Sequence, residues 1–122
     1  EVLCIHIKRF SYHLYGSKVG RQVLFKLQDL DMRPYLHSSL RDEPLATRYD
    51  LYGVVRHSGG LSGGHYVSYA KSHVTGRWFL FDDRSCQTTT PENVASQQAY
   101  VLMYVRKPDP NLRRQLSRTL LA

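Results

Sequence analysis

Gly63-Gly64-His65-Tyr66-Val67-Ser68-Tyr69, followed after a polar stretch by Arg77-Trp78-Phe79-Leu80-Phe81-Asp82-Asp83, is the part of this 122-residue chain whose reading decides the fold. Aromatic and β-branched residues crowd His65 to Ala70 and Arg77 to Phe81, and Lys71 to Gly76 between them is polar, of turn length and closed by a glycine. The two segments read as antiparallel strands of one hairpin. In such a hairpin the start of the first strand lies beside the end of the second, which brings His65 to Asp82. A carboxylate that fixes a histidine's tautomer and stabilises its imidazolium makes it a general base, so His65 and Asp82 are the candidate base and orienter. Each alone has a plainer reading, as a strand histidine and as a solvated Asp-Asp turn; the context on both sides favours the couple. Alternation along the strand sends the adjacent Asp83 the other way.

The same reading extends outward to an α+β fold, an antiparallel sheet with few short helices. Residues 2–10, Gln22 to Leu27, Tyr49 to His57 and Tyr100 to Arg106 read as further strands, with Leu3, Ile5 and Ile7 on one face of the first and Cys4, His6 and Lys8 on the other. Tyr12 to Ser17 reads as a turn, and Asp31 to Leu45, which holds Pro34 and Pro44, as a long surface loop. Thr90 followed by Pro91 supplies an N-cap and a first-turn proline for a short helix through about Gln97. His57 to Gly64 packs four glycines into eight residues and reads as a loop open to close backbone approach by a ligand, or as a plain flexible connection. After it, His65, Val67 and Tyr69 share one face and Tyr66 and Ser68 the other; Tyr69 reads as core. Residues 1–107 form the domain. In 108–122, Arg113, Arg114 and Arg118 alternate with Leu112, Leu116 and Leu120 behind Asp109-Pro110, a basic amphipathic tail or linker helix suited to docking a partner or a neighbouring domain.

The composition, 42% hydrophobic, is globular, and no apolar run approaches the roughly 20 residues of a membrane span. The chain opens directly on a strand without a start methionine, which reads as a piece of a longer domain. Two cysteines without a C-x-x-C pair give no zinc site or disulfide framework, and each is expected to be a small buried hydrophobe. A reducing, cytoplasmic or nuclear setting fits, and no cofactor or metal is called for. The net charge of +7 is spread singly or in pairs outside the tail, so nucleic acid is not an expected partner.

Gly-Gly-His-Tyr-x-x-Tyr at 63–69 and Trp-Phe-x-Phe-Asp-Asp at 78–83 together resemble the histidine box of the ubiquitin-specific proteases, the papain-like cysteine deubiquitinases. Val2 to Phe10, with Lys8-Arg9-Phe10, is similar to a palm strand of that family, Tyr49 to Gly59 to the strand and loop before the box, and Ala99 to Tyr104 to its closing strand. Within the family, Val2-Leu3-Cys4-Ile5-His6 and the basic tail resemble the von Hippel-Lindau-interacting subgroup. The resemblance implies the palm portion of a papain-like fold and thiol-dependent hydrolysis after the C-terminal glycine of ubiquitin. It implies catalytic roles for His65, Asp82 and Asp83, the last a second acid that accepts or relays a hydrogen bond. It also implies a channel for the ubiquitin tail lined by Gly63, Gly64 and Tyr66, and a blocking role for residues 37–45. The partners implied are ubiquitin and ubiquitinated proteins. A nucleophilic cysteine with its oxyanion donor is required too, and neither Cys4 nor Cys86 matches that box. The alternative is a catalytically incompetent ubiquitin-binding or scaffold fragment. The remaining histidines, His57 among them, lack a paired acid at interpretable spacing and read as structural or exposed.

Overall fold

The computed structural model describes residues 2–11, 16–43 and 46–109 of the chain. Strands β1 (Val2–His6), β2 (Phe10–Ser11), β3 (Ser17–Lys18) and β4 (Leu30–Asp31) precede the long β5 (Arg48–Gly60) and β6 (Gly63–Lys71). Then come β7 (Trp78–Asp82), β8 (Ser85–Thr89), helix α1 (Pro91–Ala95) and β9 (Ala99–Arg106). One antiparallel sheet runs in the order β1-β9-β5-β6-β7-β8, with β4 paired to the start of β5, while β2 and β3 pair only with each other. The architecture is the expected sheet with few helices.

Register decides which face becomes core. Leu102 stands opposite Val54 and Ile5, Tyr104 opposite Leu51 and Leu3, and Leu80 opposite Tyr69, so these side chains share one face. Leu51 and Val54 are three residues apart and would fall on opposite faces of a regular strand. The ladder between β5 and β9 shifts register between Leu51 and Gly53, a bulge that turns both inward. Both are then buried, together with Val67, Tyr69, Trp78, Leu102 and Tyr104. Val94 of α1, with no exposed surface, closes the core. That helix starts as its sequence dictates: the Thr90 hydroxyl accepts from the Asn93 amide at 3.2 Å and Pro91 occupies the first turn, though the helix ends at Ala95, two residues early.

Several expected elements differ. The strand expected over 2–10 stops at His6, because Arg9 turns inward: 2% exposed, its guanidinium donates to the carbonyls of Ala99, Val19 and Arg21. Gln22 to Leu27 joins no ladder. It does alternate, with Val23, Phe25 and Leu27 half-buried and Leu24 exposed, as an extended segment lying over the core. Its tethers are the Tyr104 hydroxyl, which donates to the Lys26 carbonyl at 2.7 Å, and the Leu51 amide, which donates to the Leu27 carbonyl at 2.9 Å. Strand β8, unforeseen, pairs with β7. Asp31, expected in the loop, ends β4, and residues 32–43 are irregular as expected, apart from single 3-10 turns at Arg33–Tyr35 and Ser38–Leu40. Cys4 and Cys86 are exposed, not buried: both sit on the face of the sheet away from the core. Residues 12–15, 44, 45 and 110–122, with most of the expected turn and nearly all of the expected tail helix, lie outside the described residues.

Candidate active site

The glycine-rich segment is strand, not loop. Ser58 pairs with His65, Gly59 with Gly64 and Gly60 with Gly63, leaving Leu61-Ser62 as a two-residue turn. The reason is steric. Gly59 has φ of 105°, and a Cβ there would lie 2.6 Å from the Gly63 carbonyl oxygen, so only glycines let the strands close this tightly.

His65 therefore leaves the sheet from a rigid strand. Ser68 pairs with Phe81, a register that places Asp82 across from Val67 and His65 diagonally from Asp82 on the same face. His65 Nε2 lies 2.5 Å from Asp82 Oδ1, both side chains about half exposed. The hydrogen bond to Asp82, the Asp82 charge and, more weakly, the Asp83 charge hold the His65 pKa above its ordinary value, against burial and the Arg56 charge. A carboxylate only accepts, so in the neutral imidazole the proton sits on Nε2 and the Nδ1 lone pair is left to take a proton from a nucleophile.

Asp83 falls outside β7, in the turn to β8, with φ of 48°. The expectation that it points away does not hold, because the left-handed turn residue breaks the strand's alternation. One atom each of His65, Asp82 and Asp83 lie within 4.8 Å of one another. These three are the one such trio among the described residues with donors for a metal, and an ion would have to displace the proton shared by His65 and Asp82.

Cys86 pairs with Phe81, whose other partner is Ser68, and Cys4 pairs with Met103 in the row that continues through Gly53 to Ala70. Ser68 and Ala70 share a face opposite to that of His65, so neither thiol stands on the base's face.

Tyr66 is 55% exposed and its ring packs, tilted by 50°, against that of His57, its partner across the hairpin, with centroids 4.6 Å apart; Tyr69 is core, as expected. A groove of about 430 Å³ opens here, lined by Phe10, His57, Gly63, Gly64, Tyr66 and Tyr100. Three of the residues expected at a channel thus share one groove wall. His57 is buried at 6% exposure, and Lys18 Nζ stands 3.1 Å from its Nδ1 while also donating to its carbonyl. Sequence reasoning sets His57 aside because no acid stands at interpretable spacing from it. Reading Leu61-Ser62 as a two-residue turn instead sets His57 opposite Tyr66.

The sequence pattern described as ubiquitin carboxyl-terminal hydrolase matches residues 1–104. The chain belongs to this family. It is 41% identical over 108 residues to ubiquitin carboxyl-terminal hydrolase 12 of Saccharomyces cerevisiae, covering 88% of this chain and 8% of that relative. It is 41% identical over 107 residues to human ubiquitin carboxyl-terminal hydrolase 15, covering 87% of this chain and 11% of that protein. Among solved structures, the SAGA DUB module of Ubp8 with Sgf11, Sus1 and Sgf73 superposes with a TM-score of 0.77 at 31% identity, over 88% of this chain and 24% of the matched one. The same module bound to monoubiquitin gives 0.76 at 30%, over 88% and 23%. The fold is thus that of part of a ubiquitin carboxyl-terminal hydrolase, and the chain spans about a tenth of the length of these curated relatives and a quarter of these solved chains.

Proposed function

We propose that this chain supplies the base and the orienting acid of a thiol-dependent deubiquitinating peptidase, which hydrolyses the bond after the C-terminal glycine of ubiquitin. The observation that carries this reading is the 2.5 Å contact of His65 Nε2 with Asp82 Oδ1, made from the same strand, β6, that contributes Gly63, Gly64 and Tyr66 to the groove. Asp82 holds the ring so that Nδ1 faces outward, His65 takes the proton of a cysteine thiol delivered by another segment, and the imidazolium then protonates the leaving amine. Asp83 adds negative charge beside the same ring. The groove of Gly63, Gly64 and Tyr66 receives the slender Gly-Gly end of ubiquitin, and the strand edges hold it extended. The relatives' names, and the monoubiquitin bound to one similar structure, support ubiquitin as the ligand. A cytoplasmic or nuclear location, with ubiquitinated proteins as substrates, completes the proposal.

The test is turnover of a ubiquitin C-terminal amide by the intact protein. His65→Ala abolishes it. Asp82→Asn lowers kcat by up to about 10⁴, the size of the defect in a serine triad, while ubiquitin binding is little changed. Ubiquitin binding without any His65-dependent turnover would instead establish the scaffold reading.

A further inference from the structure

Between β3, β5 and the turn from α1 into β9 lies a separate cavity of about 480 Å³, whose lining includes Lys18, Gly20, Arg56, Ser58, Gln97 and Gln98. His65, Asp82 and Tyr66 take no part in it. Two of its residues are cations, and none of the described residues that line it is acidic. A third cation stands behind the wall. Arg9, 2% exposed, donates to the carbonyls of Val19, Arg21 and Ala99, which are the chain neighbours of Gly20 and Gln98. A buried cation is ordinarily paired with a carboxylate, because leaving water is costly for an unpaired charge. Here Arg9, Lys18 and Arg56 join no ion pair among the described residues.

Their donors are left over. Lys18 has three N–H bonds and spends two, on Nδ1 and on the carbonyl of His57. Arg56 has five and spends one, from Nη1 to Gln97 Oε1 at 3.1 Å. That carboxamide is itself held, since its Nε2 donates to the Asn93 carbonyl at 2.8 Å and to Asn93 Oδ1 at 3.0 Å. Arg56 Nε and Arg9 Nη2 are buried and have no partner among the described residues. The Ser58 hydroxyl, by contrast, is used on the His65 carbonyl. The cations also act on one another: burial first, then the charges of Arg9 and Arg56, lower the Lys18 pKa. Charge of one sign in a walled cavity concentrates its field on whatever enters. A guanidinium fork and an ammonium point charge together suit the oxygens of a phosphate, whose double charge offsets the excess better than the single charge of a carboxylate. We propose that this cavity is a phosphate-binding site, with Arg56 and Lys18 as the residues that hold the anion and Arg9 as a buried charge behind it. The phosphate is either the free ion or a monoester on a phosphorylated side chain. The site stands independently of the deubiquitinase reading.

The test is calorimetric titration of inorganic phosphate into the intact protein near neutral pH, with chloride holding the ionic strength constant. One saturable site is expected. Arg56→Met and Lys18→Met each weaken it about 10-fold or more, the worth of a charge-assisted hydrogen bond. Arg56→Lys, which keeps the charge, recovers part of the affinity, and unfolding midpoints show which variants are folded; Lys18→Met carries the test if the Arg56 variants are not. Arg77→Met, which removes an exposed cation in the turn before β7, leaves binding unchanged. Acetate binds more weakly than phosphate by about 10-fold or more, the difference a second negative charge makes among converging cations. O-phosphoserine binding more tightly than the inorganic ion assigns the site to a phosphorylated side chain, and equal or weaker binding assigns it to the free ion. The absence of saturable binding, an equal loss with Arg77→Met, or acetate matching phosphate overturns the proposal.

Discussion

Asp82 meets His65 diagonally across two paired strands, on the face of the sheet opposite to the one that carries Cys86. The couple is set by backbone register, so its electrostatics can be measured directly. Because the Asp82 hydrogen bond and charge raise the folded-state pKa of His65, the imidazole Cε1–H titrates above the ordinary value of about 6.5. Asp82→Asn brings the midpoint down, below that value if burial and Arg56 then dominate, and Asp83→Asn moves it less. The sign for stability follows: what the pair contributes is fully present below the unfolded histidine's pKa and is lost as pH rises through the folded one. A His65 midpoint unaffected by Asp82→Asn in an NMR titration would sink the couple.

The 122-residue chain by itself does not cleave a ubiquitin C-terminal amide. Cys4 and Cys86 are exposed but lie on the wrong face, so His65 has no thiol to activate. Turnover by the purified chain that is lost with Cys4→Ser or Cys86→Ser would place the nucleophile within it, contrary to the sheet geometry.

The hairpin from β6 to β7 and its base and acid were legible because alternation, a polar turn and the position of Asp82 at a strand end are all local signals. The α1 start was legible for the same reason, with Thr90 and Pro91 each carrying its own backbone chemistry. What escaped were features decided at a distance. Arg9 ends β1 early by seeking carbonyls on Ala99, Val19 and Arg21, as far as 90 residues away in sequence. Gln22 to Leu27 has the alternation of a strand but finds no ladder, since the places beside β5 are already taken by β4, β6 and β9. The glycines of 57–64, a loop signal by composition, form paired strand at the closed end of the β5–β6 hairpin.

The extended cover over the core is held by few bonds, and one can be removed cleanly. The Tyr104 hydroxyl, buried so that its pKa is pushed up to about 12, donates to the Lys26 carbonyl at 2.7 Å. Tyr104→Phe keeps the ring in the core and leaves that carbonyl without its partner, costing about 1 kcal/mol in urea unfolding. Faster amide exchange over 23–28, with the sheet unchanged, is the accompanying sign; exchange that rises equally in β5 and β9 would mean the bond holds the whole core instead.

Gly63 and Gly64 are neighbours with different reasons to be glycine. A Cβ on Gly64 would overlap the His57 ring and the Ser58 carbonyl, and backbone cannot yield cheaply, so Gly64→Ala destabilises the chain by about 1–3 kcal/mol. A Cβ on Gly63 meets nothing within 4 Å, and Gly63→Ala leaves stability within about 0.5 kcal/mol of wild type. No internal contact requires glycine at 63, yet the residue lines the groove with Tyr66. Its requirement then falls on the ligand: in the intact protein Gly63→Ala weakens binding of ubiquitin while the unfolding midpoint stays put. Equal unfolding midpoints for the two variants would show that the hairpin opens to admit a side chain at 64, and that the close packing of Gly64 on His57 does not govern the groove.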